Sequence, residues 1–76
     1  MNNKIAWKCR RGMLELDLIF MRFYQEKFPN LSADEKKLFE RLLDEQDPVL
    51  ASWILGAHVP ATEFQQLVTQ LKSYSH

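Results

Sequence analysis

Few residues of this sequence have the type and spacing that chemistry needs. The 76-residue chain has one cysteine, Cys9, and two histidines, His58 and His76. Their spacing fits no zinc pattern, and a lone cysteine forms no internal disulfide. Ser32, Ser52, Ser73 and Ser75 have no histidine and acid placed beside them by a local motif, so no activated nucleophile is indicated. Asp44, Glu45 and Asp47 are clustered carboxylates, a group that can move protons. They stand just before Pro48, where capping and the helix dipole give acids a simpler role. Two glycines, Gly12 and Gly56, cannot build a phosphate loop or a dinucleotide fingerprint. No catalytic residue and no metal ligand is assigned. What remains is the charged run Arg11-Gly12-Met13-Leu14-Glu15, followed by Asp17. It marks a bend, so its charges are expected to project toward a binding partner.

Ten basic and ten acidic residues cancel to a formal net charge of zero. A nucleic-acid binder carries a basic excess to displace counterions from phosphate. Here only Lys8, Arg10 and Arg11 cluster, which argues against DNA and RNA. A composition 46% apolar and 26% charged is that of a globular chain. At this length one domain, residues 1–76, is expected, hiding about 60% of its unfolded surface. The first residues lack the apolar stretch of a signal peptide. The longest uncharged segment, residues 48–62, is too short and mixed to cross a bilayer. The expectation is a soluble, cytoplasmic monomer.

The elements that must position the bend follow from periodicity. Asn2 or Asn3 could cap a first helix reaching about residue 10, with Ile5, Ala6, Trp7 and Cys9 as its apolar contacts. Gly12, the residue that reaches positive φ cheaply, marks the corner to helix two. Helix two spans about 13–28 and is apolar on more than one side, so it should be the element the others pack against. Glu15, Arg22 and Glu26 share one side. Asp17 falls opposite, beside Met13, Phe20, Met21 and Tyr24, and needs a backbone amide or an Arg or Trp N–H as donor. Phe20, Phe23, Tyr24 and Phe28 read as core. Ser32 and Glu35 form a capping box for helix three, to about residue 44, with Leu38, Phe39, Leu42 and Leu43 inward. Asp47 as N-cap before Pro48 starts helix four, which buries Val49, Leu50, Trp53 and Ile54 and stops at Gly56. His58 falls in a solvent-facing loop. Thr62 and Gln65 suggest a second capping box. Helix five then carries Phe64, Leu67, Val68, Leu71 and Tyr74 on one face. No segment alternates with period two. The fold class is all-α, a compact bundle of about five short helices.

At its bend the sequence resembles a known family. Arg11-Gly12-Met13-Leu14-Glu15 matches the R-G-x-x-E signature of the FAD assembly factors (SdhE-like, the succinate dehydrogenase assembly factor 2 family), and Asp17 extends it. The likeness continues through Trp7-Lys8-Cys9-Arg10 and, downstream, residues 31–43, Asp47-Pro48, Leu50 and Trp53. The resemblance implies a five-helix protein that binds the flavoprotein subunit of succinate dehydrogenase, or of fumarate reductase. It implies promotion of covalent FAD attachment to a histidine of that subunit, with no FAD stably held by the helper. Carried over by position, Arg11, Gly12 and Glu15 meet the flavoprotein. Arg11 and Glu15 would contact its charged groups, and Gly12 would let the backbones approach. Asp17, with Arg10 and Trp7, is supporting. The alternatives are a small helical DNA-binding or other protein-interaction module, and a flavin carrier that would purify yellow.

Overall fold

Three phenylalanine rings from one helix and the turn after it meet a fourth, Phe39, at the centre of the molecule. Its ring lies 5.2 Å from Phe23 in a stacked pair, 6.1 Å from Phe20 and 5.5 Å from Phe28. Tyr74 sets its edge against Phe23 at 6.0 Å. The computed structural model describes residues 3–74. The expected Asn2 cap, the side chain of Asn3, Ser75 and His76 lie outside the described residues. Five helices carry the core: α1 Asn3–Lys8, α2 Leu14–Glu26, α3 Ala33–Leu42, α4 Asp47–Ile54 and α5 Gln65–Lys72. Tight 3₁₀ turns occupy Phe28–Asn30 and Thr62–Phe64. No strand occurs among the described residues, so the all-α expectation holds. None of their helices is long and apolar enough to cross a membrane.

The local chemistry explains most boundaries. α2 begins after Met13, which is extended and makes no side-chain cap. It buries Leu16, Ile19, Phe20 and Phe23. Its second apolar side is not covered: Leu14 is 75% and Leu18 48% exposed. Near Pro29 the chain tightens, and the Leu31 amide donates to the Phe28 carbonyl at 3.1 Å. α3 has the expected capping box, with the Glu35 amide donating to Ser32 Oγ at 3.1 Å and the Ser32 amide to Glu35 Oε1 at 2.9 Å. The Ser32 amide, then its hydroxyl, hold the Glu35 carboxyl below its ordinary value. α4 ends as sharply as Gly56 suggested. At φ +82 Gly56 lets its amide reach the Trp53 carbonyl (3.3 Å) and the Ala57 amide reach the Ser52 carbonyl (2.8 Å). That pair of bonds is a Schellman cap.

Three expectations need correction. Trp7 is not a core contact of α1; it is 74% exposed, while Ile5 and Cys9 are buried. Helical spacing explains this, because positions 5 and 9 share a face that position 7 does not. Asp47 is not the N-cap of α4. Gln46 takes that place, Asp47 is the first helical residue, and its carboxylate turns to Arg11. The second capping box does not form either. Residues Thr62–Phe64 wind as a 3₁₀ turn without a side-chain cap, and the Gln65 side-chain amide donates instead to the Pro60 carbonyl at 3.3 Å. Phe64 is buried from that turn, its ring 5.9 Å from Trp53. Leu67, Val68 and Leu71 follow it inward on α5.

Two outcomes test this core. Phe39→Ala should cost about 3–5 kcal/mol in urea unfolding, the range for a fully buried phenylalanine. A loss under about 1 kcal/mol would contradict its central place. Cys9 is fully buried, and burial pushes its thiol from 9.0 up to about 11 against the opposing pull of the Arg11 charge. The unfolded chain therefore loses this proton at lower pH than the folded one. Stability present below pH 9 should fall as pH rises toward about 11, by roughly 2–3 kcal/mol. Cys9→Ala should flatten that part of the stability–pH curve, and an unchanged slope would refute the assignment.

Candidate functional site

The corner between α1 and α2 is built from backbone bonds, one glycine and one arginine. α1 closes with the Cys9 amide shared between the Ile5 and Ala6 carbonyls, both at 3.2 Å, and the Arg10 amide on the Trp7 carbonyl at 3.1 Å. Gly12 then reverses the chain at φ +84. A Cβ at Gly12 would meet nothing within 4 Å, so the glycine is required here by its backbone angle rather than by crowding. α2 leaves the corner with Glu15 and Asp17 in its first turn, where the helix dipole favours negative charge.

Arg11 is the correction that matters most. Its side chain is 12% exposed and faces inward. Nε donates to Asp47 Oδ1 at 2.8 Å. One terminal nitrogen donates to the carbonyls of Lys8 at 3.0 Å and Leu43 at 2.6 Å, and the other to the Glu45 carbonyl at 2.5 Å. The Arg11 amide donates to Asp17 Oδ1. Arg11 therefore ties the α1–α2 corner to the α3–α4 turn and does not project. The reason is physical: a planar guanidinium with five donors satisfies several carbonyls and a carboxylate at once. A second pair, Lys8 to Asp44 at 3.0 Å, runs beside it with the same separation of 36 residues. Equal separations mean that the end of α1 and the turn run alongside each other in one direction. Of the local basic cluster, Lys8 and Arg11 are thus neutralised, and Arg10 is exposed.

The remaining candidates divide cleanly. Gly12 and Glu15 are exposed. Asp17 is half-buried and supports the corner through the Arg11 amide, the backbone donor that its position required. Trp7 lies on the surface and makes no ring pairing with the core aromatics among the described residues. Beside Glu15 the surface is apolar: Met13, Leu14 and Leu55 are exposed. A shallow dimple of about 40 Å³ between α2 and α4 is lined by Met13, Glu15, Ile54 and Leu55, among others. Sequence reasoning missed Asp44, Asp47 and the carbonyls of Leu43 and Glu45 as partners of the corner. The signal was present in two clusters of opposite charge, basic at 8–11 and acidic at 44–47. No group of three His, Cys, Asp or Glu residues among the described residues could hold a metal.

Comparison with known proteins bears on what such a corner is for. Residues 3–75 match the family described as "Flavinator of succinate dehydrogenase". The FAD assembly factor SdhE of Coxiella burnetii is 48% identical over 75 residues, covering 97% of this chain and 92% of the relative. That of Shewanella oneidensis is 43% identical over 70 residues, 91% of this chain and 85% of the relative. That of Legionella pneumophila is 37% identical over 71 residues, 93% and 90% respectively. With the match running almost end to end in both partners, the chain belongs to the FAD assembly factor family, the flavinators of succinate dehydrogenase.

Proposed function

We propose that this chain binds the flavoprotein subunit of succinate dehydrogenase, and of fumarate reductase where that enzyme is present, and promotes covalent attachment of FAD to it. It acts in the cytoplasm as an assembly factor without catalytic residues of its own. The observation that carries this reading is the exposed strip from Gly12 to Glu15, set on a corner whose neighbour Arg11 is locked from behind. A rigid, exposed, charged corner is suited to docking, because little side-chain and loop freedom is lost on contact. Gly12, open to solvent and lacking a Cβ, lets a partner backbone come close. Glu15 offers a carboxylate to a cationic or hydrogen-bond-donating group of the partner.

The flavin, held by the partner, supplies the redox chemistry. This chain's part is to bind the flavoprotein in a conformer that aligns the reacting groups, and alignment alone can lower a barrier by several kcal/mol. The corner itself is not suited to holding FAD. The first turn of α2, the helix start next to Gly12, carries Glu15 and Asp17, which repel a pyrophosphate.

The test is in-gel flavin fluorescence of the denatured partner, produced with each variant. Glu15→Lys should stay folded and lower unfolding stability by about 1–2 kcal/mol at most, the loss of a favourable charge in the first turn of α2. It should lower flavinylation by about tenfold or more, the equivalent of about 1.4 kcal/mol. Gly12→Asn, tolerated at positive φ, should keep the fold and lose flavinylation only partly; Gly12→Arg should lose it. Full flavinylation with folded Glu15→Lys and Gly12→Arg would defeat the docking assignment.

A further inference from the structure

We infer that Asp47 is a positioning residue for the docking corner, acting through Arg11 from 36 residues away in sequence. The inference rests on the docking reading of the Gly12–Glu15 strip. Four acceptors surround the guanidinium: the Asp47 carboxylate and the carbonyls of Lys8, Leu43 and Glu45. All four bonds have a cationic donor, but Asp47 alone among these acceptors brings an opposite charge, so its bond adds a Coulombic attraction that the carbonyl bonds lack. An arginine side chain has many rotamers, so an unheld guanidinium would sample positions away from the turn. The 2.8 Å bond from Nε to Oδ1 selects the rotamer in which the terminal nitrogens meet the Leu43 and Glu45 carbonyls.

The chain of constraint continues to the exposed strip. With its guanidinium held by the α3–α4 turn and its amide held by Asp17, residue 11 is fixed at both ends. Gly12 follows at once, at φ +84, and Glu15 sits in the next helical turn. The orientation of the Gly12–Glu15 strip relative to α4 is therefore set by where Asp47 holds Arg11. The position of Asp47 serves this. As the first residue of α4 it places its carboxylate at the positive end of the helix dipole, and Pro48 after it fixes the backbone. The parallel pair Lys8–Asp44 is an internal control. Asp44 is 65% exposed, and exposed pairs of this kind add little.

Binding of the full chain to the purified flavoprotein subunit lacking covalent FAD separates the possibilities. It would be measured by calorimetry, with helicity and unfolding recorded for each variant. Asp47→Ala should weaken binding about tenfold while folded, Asp47→Glu should recover most of it, and Asp44→Ala should change it less than about twofold. Asp47→Ala should also shift the Gly12 amide resonance. Combined with Glu15→Ala, its effect should be clearly less than additive, because Glu15 is already mis-aimed. Asp47→Asn, which keeps the shape and one acceptor oxygen, serves where the alanine variant does not fold, and should weaken binding in the same direction. If folded Asp47 variants bind as wild type while Glu15→Ala does not, the positioning role is overturned and the docking reading stands. Full additivity of the Asp47 and Glu15 effects would overturn the positioning role in the same way. If neither residue affects binding, the docking reading itself fails.

Discussion

Between 32 and 36 residues separate Arg11 from the turn that surrounds its guanidinium. Closing a loop of that length costs about 3 kcal/mol in chain entropy. A partly buried ion pair with three carbonyl bonds cannot be assumed to repay this, since desolvation takes back much of its attraction. Phe20 and Phe23 of α2 meet Phe39 of α3 through fully buried rings, closing a shorter loop nested inside it and leaving less chain for the Arg11 contacts to order. The aromatic core therefore brings the two halves together, and the Arg11 clamp then fixes how they are registered. Removing the arginine would leave three carbonyls and a carboxylate facing one another, which is worse than never having assembled them. That asymmetry makes the clamp a constraint on geometry more than a source of stability.

This divides the motif Arg11-Gly12-Met13-Leu14-Glu15 into parts with different physical duties. Arg11 points in and sets the corner. Gly12 supplies a backbone angle that residues with a Cβ rarely adopt. Glu15 points out. A five-residue pattern read as one contact surface is thus an inner anchor, a tight turn and an exposed carboxylate in sequence. Asp17 completes the inner side by accepting the Arg11 amide, so the motif's acids act on both faces of the same turn.

Much of the fold could be read from the chain because local chemistry and packing agree. The Ser32–Glu35 capping box, the Gly56 cap and the stripe from Phe64 to Tyr74 each depend on neighbours within a few residues. What could not be read depends on distant partners. Asp47 before Pro48 has the local signature of a cap, and only the presence of Arg11 across the molecule draws its carboxylate away. For α2 the misleading quantity was amount rather than pattern. Its apolar residues lie on more than one side, but a chain of this length cannot cover them all, and Leu14 and Leu18 remain in solvent.

The zero net charge also takes on a specific meaning. The basic end of α1 and the acidic turn before α4 cancel each other across the corner, through Lys8 with Asp44 and Arg11 with Asp47. Two of the three basic residues there, Lys8 and Arg11, are used internally, and the outward charges at the bend are Arg10 and the carboxylate of Glu15, beside apolar Met13 and Leu14. The Glu15 carboxylate is joined, through one glycine, to an arginine bonded at both its amide and its guanidinium, which ties an exposed turn to the packed part of a domain with a small core.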